Sequence, residues 1–174
     1  MKRISRIGTI ILASLTLLVL VLSAPASLRE AYDRGGFYLF SRSFIEDIPK
    51  RLTGPGWFRF ILQPMVATFL GIRGGINDFR CGRPPYLSGV LFHRGFRNEL
   101  LRSAFSTVIN MLLVGILLDS IFQLVILGRS YAGAALVVGP VLIVAPYSVA
   151  RALANRFARL RKRGPNQGTL ISRP

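Results

Sequence analysis

Residues 105–127 read FSTVINMLLVGILLDSIFQLVIL, an apolar run without proline whose one charge is Asp119. A helix on a soluble surface needs a polar stripe, and this stretch is apolar on every side. A hydrocarbon layer about 30 Å thick takes roughly 20 helical residues to cross, so the run is long enough to span it. Working outward, residues 131–150 (YAGAALVVGPVLIVAPYSVA) and 7–24 (IGTIILASLTLLVLVLSA) carry no charge at all. Backbone groups in lipid must be satisfied within the segment, and the alternating ten-residue pattern of a membrane barrel is absent. These blocks therefore predict helices. The expected fold is an all-α membrane protein with three to four transmembrane helices plus amphipathic surface helices.

The charge pattern agrees with that reading. The 174-residue chain has a formal net charge of +16, and its 23 basic residues gather at the ends of the apolar blocks. Basic flanks are what cytoplasmic loops carry. No zinc-finger spacing, RNP motif or basic zipper accompanies them, so nucleic acid is not expected as a partner. Cys81 and His93 are each the single residue of their kind, which excludes an intrachain disulfide and a Cys/His zinc set. No cofactor is implied.

Residues 1–24 combine Lys2, Arg3 and Arg6 with an apolar block and an Ala24-Pro25-Ala26 ending, the parts of a secretory signal. The block is longer than the usual signal core of about 7–15 residues, and Pro25 disfavours cleavage, so it reads as an uncleaved anchor. Residues 25–56 are an amphipathic extramembrane segment. Phe37, Phe40, Phe44 and Ile48 recur at helical spacing there, opposite Ser41, Arg42, Glu46 and Asp47. That stripe lies on the membrane surface or packs on the protein's own spans. Pro49 is expected to end it, before a turn at Gly54-Pro55-Gly56. Residues 57–150 form the membrane domain. It begins with 57–72 (WFRFILQPMVATFLGI), a short tilted span or re-entrant segment with Arg59, Gln63 and Pro64 inside it. A polar loop over 73–104 follows, with a turn at Gly74-Gly75, a break at Pro84-Pro85 and a short helix from Phe96 to Arg102. Residues 151–174 are a basic cytoplasmic tail, disordered beyond 163. Within it Arg151, Arg156, Arg159, Arg161, Lys162 and Arg163 surround Leu153, Phe157 and Leu160, a pattern suited to the anionic lipids of the inner leaflet.

If all four apolar stretches span, with the N-terminus inside, 16 of the 23 basic residues fall on the cytoplasmic side. The rival arrangement has three spans, keeps 57–72 at the inner surface and places the N-terminus outside. Both leave the C-terminus in the cytoplasm.

Asp119 is the leading candidate for a functional group. An ionised carboxylate near the bilayer centre costs about 2.5–3.5 kcal/mol on insertion scales and must face protein or water. Gln123 lies one turn on, on the same face. In the four-span arrangement, a 1.5 Å rise per residue puts Asp119 about 4–5 Å beyond the midplane, with Gln63 and Arg59 at about 2 and 8 Å. Asp119 is expected to accept from Arg59, Gln63 or both, as a hydrogen-bonded packing cluster or as an ion relay. Ala67/Gly71 and Ala135/Gly139 are small-xxx-small pairs that let helices approach closely in lipid. His93 with Ser88 or Ser103 lies in no GxSxG elbow, and Gly74-Gly75 belongs to no phosphate-binding glycine motif. Cys81, between Arg80 and Arg83, reads as a solvated loop thiol.

Gln63-Pro64…Leu70-Gly71-Ile72-Arg73, Gly82-Arg83-Pro84-Pro85-Tyr86-Leu87, Leu118-Asp119…Phe122-Gln123 and Pro146-Tyr147 resemble a group of short, uncharacterised proteobacterial membrane proteins. The resemblance spans roughly residues 44–160 and implies membrane residence, with no activity attached. The expected function is that of a non-enzymatic, multi-pass protein of a bacterial inner membrane. It would serve as an accessory or scaffold subunit of an envelope complex, or as a homo-oligomer. A small transporter or channel using Asp119 is the alternative.

Overall fold

The computed structural model describes residues 2–35, 38 and 41–163. Phe37, Phe40, the tail 164–174 and the side chain of Arg163 lie outside the described residues. Among those described, the chain is helical without strands: α1 (Lys2–Arg34), α2 (Arg42–Thr53), α3 (Arg59–Arg80), α4 (Tyr86–Phe92), α5 (Arg94–Leu127) and α6 (Ala132–Arg163). Three of these, α1, α5 and α6, are long and apolar enough to cross a membrane.

Several elements run further than the sequence reading placed them. Helix α1 continues through Pro25 to Arg34, and α2 continues through Pro49 to Thr53. Pro49 is tolerated one turn before the end of α2, where Gly54 N donates to Lys50 O at 2.9 Å. The 57–72 segment starts with Trp57 and Phe58 in a turn and then forms a helix of 22 residues reaching Arg80. Gly74-Gly75 is not a turn but lies inside that helix. The region 73–104 is mostly helical, with residues 81–85 and 93 between helices. Helix α6 is unbroken from Ala132 to Arg163, so the basic tail prolongs the last apolar block without a joint.

The chain forms two compact units: residues 1–63 with 108–143, and residues 64–107 with 144–174. In the first, α1 docks through a small polar stripe. Thr9 Oγ1 donates to Asn110 Oδ1 at 2.7 Å, and Thr16 Oγ1 lies 3.4 Å from the Leu113 carbonyl. Ser27 Oγ donates to Ser130 O and accepts from Ala132 N, both at 3.2 Å. Hydroxyls at such spacing tie helix to helix through hydrogen bonds. Helices α5 and α6 meet at two glycines: a Cβ on Gly139 would stand 2.9 Å from the carbonyl carbon of Gly115. Ala135, four residues earlier, is fully buried.

In the second unit α3 and α6 pack backbone to backbone. A Cβ on Gly71 would lie 2.5 Å from Tyr147 O, and one on Gly75 would lie 2.2 Å from Arg151 O. Ala67, Gly71 and Gly75 thus form one small-residue stripe at four-residue spacing, with Ala67 fully buried. The close approach explains why two adjacent glycines stay helical: packing outweighs the roughly 1 kcal/mol each costs in helix propensity.

Candidate functional site

In the first unit, the turn at Gly54-Pro55-Gly56 aims the start of α3 at α5. Gly56 has φ +86°, and a Cβ there would meet the Phe122 ring at 2.5 Å, so both the backbone and the space demand glycine. Phe58 then packs edge-on against Phe122, with ring centroids 6.3 Å apart. The next residue, Arg59, turns inward over the same ring at 5.2 Å. Its Nη2 comes to 2.6 Å from Asp119 Oδ1. Arg59 is 2% exposed and Asp119 1%, so the pair has left solvent entirely. The contact is ionic and close, but its N–H is not aligned for a hydrogen bond to Oδ1.

The other carboxylate oxygen accepts from Gln123 Nε2, and Gln123 Oε1 accepts from Tyr131 N at 2.8 Å. That last bond fixes the start of α6 against the end of α5. Gln63 is buried in the same unit, yet its Oε1 has no hydrogen-bond partner among the described residues. The amide that donates to the carboxylate is Gln123 Nε2; Gln63 makes no hydrogen bond to Asp119.

Sequence reasoning missed a second guanidinium. Arg51, on the last turn of α2 and 4% exposed, places Nη1 at 3.7 Å from Asp119 Oδ1. Its Nη2 lies 3.4 Å from the Tyr38 hydroxyl, which donates to Asp47 Oδ2 at 2.7 Å. Lys50 Nζ donates to Asp47 Oδ1 at 2.8 Å. Burial, then the hydrogen bond to Asp47, pushes the Tyr38 phenol up to about 12. Burial alone would raise Asp47, but the bonds from Lys50 and Tyr38 outweigh it and hold the carboxyl below its usual range. Tyr38 stacks on Tyr131 at 3.7 Å between centroids, and Phe44 packs edge-on against Tyr38 at 5.7 Å. Phe44 thus packs on the protein's own core, while Ile48 of the same stripe stays exposed.

The arithmetic of this cluster is uneven. Two buried guanidiniums face one buried carboxylate, and Arg51 Nε, Arg51 Nη1 and Arg59 Nη1 have no hydrogen-bond partner among the described residues. Each buried unpaired polar group costs about 1–3 kcal/mol, and more when charged. Faces of Phe44, Phe60 and Phe122 lie 4.9–5.5 Å from the two guanidinium carbons and offset part of that cost.

The second unit holds a contrasting centre. Asp78 and Arg151 are both fully buried and joined side-on, Nε to Oδ2 at 2.6 Å and Nη2 to Oδ1 at 2.9 Å. Arg151 Nη1 donates to the Tyr147 hydroxyl at 2.8 Å, and Nη2 also reaches Ser103 Oγ at 3.3 Å. Arg83 pairs with Glu99 and comes within 3.5 Å of Asp78. Every nitrogen of Arg151 is engaged, so this centre is a packing lock. It corrects the sequence reading of Arg151 as a lipid contact: the α3 glycines bring Asp78 within reach and bury the pair. Arg159 is half-committed as well, donating to Asn155 Oδ1 at 2.7 Å and to the Arg83 carbonyl. Arg156, Arg161 and Lys162 remain exposed.

Asp78 carried a readable signal, since it follows Gly75 by three residues on the same face of α3. Arg51 carried none, because Pro49 was expected to end the helix and left Arg51 in the turn beyond it. Among the described residues no three His, Cys, Asp or Glu side chains gather as metal ligands. Comparisons with protein-family models, curated proteins and solved structures each returned no match.

Proposed function

We propose that this chain is a multi-pass protein of a bacterial inner membrane with its C-terminus in the cytoplasm, acting without catalysis as an accessory or scaffold subunit or as a homo-oligomer. The observation that carries this reading is the apolar surface of α1, only 11% of whose most apolar stretch is buried within the protein. Ile10, Ile11, Leu17 and Leu22 are each more than 60% exposed, a surface that lipid or another membrane helix must cover.

A reporter active only in the periplasm, fused after Pro174, should be silent, and strong activity there would overturn the orientation. The same reporter near Glu46 separates the four-span arrangement, in which that loop is exported, from the three-span one. A homo-oligomer or stoichiometric complex that survives mild detergent is the expected form of the purified protein. Monodisperse monomer throughout would count against the scaffold role.

The uneven charge of the Asp119 cluster favours one further reading, ion handling. A buried excess of guanidinium attracts an anion or a proton-linked carboxylate, as membrane pathways require. Proteoliposomes would then show proton flux that Asp119→Asn, reconstituted at equal folded yield, abolishes and Asp119→Glu retains. Flux equal to that of empty liposomes removes this reading.

A further inference from the structure

We propose that the groove between α3 and α6 in the second unit binds one anionic phospholipid, its chain along the helices and its phosphate at the basic end. This rests on the membrane residence proposed above. The two helices touch backbone to backbone at Gly71 and Gly75, and from there a groove of about 600 Å³ runs toward the ends of both. Ile72, Ile76, Phe79 and Phe157 supply apolar walls, with Ala154 and Ala158 as its small-residue floor. Its remaining lining residues are Arg80, Arg161 and Lys162, with no carboxylate among them.

The chemistry of the groove is divided along its length in the way a phospholipid is divided. A free phosphate has no use for an apolar wall, and an acyl chain has none for three cations. The cations are also uncommitted: Arg80, Arg161 and Lys162 have no ion-pair partner among the described residues, while nearby Arg83, Arg151 and Arg159 are held by Glu99, Asp78 and Asn155. Basic pockets between spans on the cytoplasmic side are a recurrent way of holding anionic headgroups. The α3 glycines are what make such a pocket possible, because they draw the basic ends of two helices together.

The test titrates purified full-length protein in neutral detergent with phosphatidylglycerol or phosphatidylcholine and counts bound lipid by native mass spectrometry. Wild type should retain one phosphatidylglycerol in preference to phosphatidylcholine. The triple variant Arg80→Gln, Arg161→Gln, Lys162→Gln should lose affinity for phosphatidylglycerol on the order of 100-fold, at roughly fivefold per cation. A charge-matched control, Arg94→Gln, Arg97→Gln, Arg102→Gln, removes exposed arginines outside the groove and should leave binding near wild type. Ala158→Phe fills the groove without touching a charge and should also release the lipid. Equal losses in the two triple variants, or unaltered binding by Ala158→Phe with its melting intact, would overturn the site. Flotation with pure phosphatidylcholine vesicles separates the two proposals. Protein that stays behind refutes membrane residence itself, whereas protein that floats but ignores phosphatidylglycerol refutes the groove alone.

Discussion

Asp119→Asn keeps the shape of the side chain and an oxygen for Gln123, and removes only the charge. Arg59 and Arg51 would then both lie buried without a counter-ion, the nearer having lost a contact of 2.6 Å. Breaking a buried pair from one side costs about 3–5 kcal/mol, since the abandoned charge has already shed its water. Arg59→Met should cost less, about 1–3 kcal/mol, because Asp119 keeps Gln123 and still has Arg51 at 3.7 Å. If the two changes acted independently, the double variant would lose the sum. It should instead fall short of that sum by about 1.5–2 kcal/mol, because most of the cost in either single variant is one broken interaction. Hydrogen bonds between membrane helices couple more weakly, averaging about 0.6 kcal/mol in such cycles, so a value of that size would already count against a strong ion pair. Reversible unfolding of the four proteins in mild detergent gives the cycle directly. Additivity within about 0.5 kcal/mol would refute the claim that Arg59 and Asp119 form one energetic unit.

The Tyr38 phenol, raised to about 12 from 10.0, makes the first unit sensitive to alkali. A raised folded value means full stability below about pH 10 and progressive loss as pH climbs toward 12, at about 1.36 kcal/mol per unit. Wild type should therefore lose ground to Tyr38→Phe across that window, and a pH-independent difference in melting would contradict this. Gly75→Ala should destabilise by at least about 1–3 kcal/mol through overpacking, its Cβ falling 2.2 Å from Arg151 O. Gly95→Ala, in the first turn of α5 with nothing within 4 Å, should be neutral or stabilise by up to about 1 kcal/mol, and equal melting of the two variants would dispute the helix contact. Arg151→Lys cannot reproduce the fork on Asp78 or reach Tyr147 and Ser103 together, and should cost about 2–4 kcal/mol in chemical denaturation. A loss under about 1 kcal/mol would mean the lock is less tightly satisfied than its distances imply.

The helices themselves were legible because a long, unbroken apolar run leaves a backbone so few options. An apolar run of twenty residues with basic flanks has only the helix open to it in lipid, and the runs 7–24, 105–127 and, from Ala132 on, 131–150 fall within helices. Asp119 stood out for the complementary reason, a charge where charge is costly. Helix ends were less legible: Pro25, Pro49 and Gly74-Gly75 are breakers by local chemistry, yet all four positions are helical. Local preference amounts to about 1 kcal/mol for a glycine, and tertiary contact across Gly71 and Gly75 exceeds it.

By itself, then, the sequence determined that the chain is helical, which stretches can meet lipid, and that Asp119 must find company. It also marked Ala67, Gly71, Ala135 and Gly139 as places where helices come close. Span depth already pointed Arg59 at Asp119, and the structure has that contact; only the tertiary structure decided the other partners. Arg51 reaches Asp119 from a helix far away in the chain, Asp78 captures Arg151 across 73 residues, and Gln63 stays outside the pairing where Gln123 enters it. Partners at such separation leave no periodicity for a reader of one sequence to find. Burial periodicity is a property of a single helix, whereas an ion pair is a property of two helices and the turn that aims them.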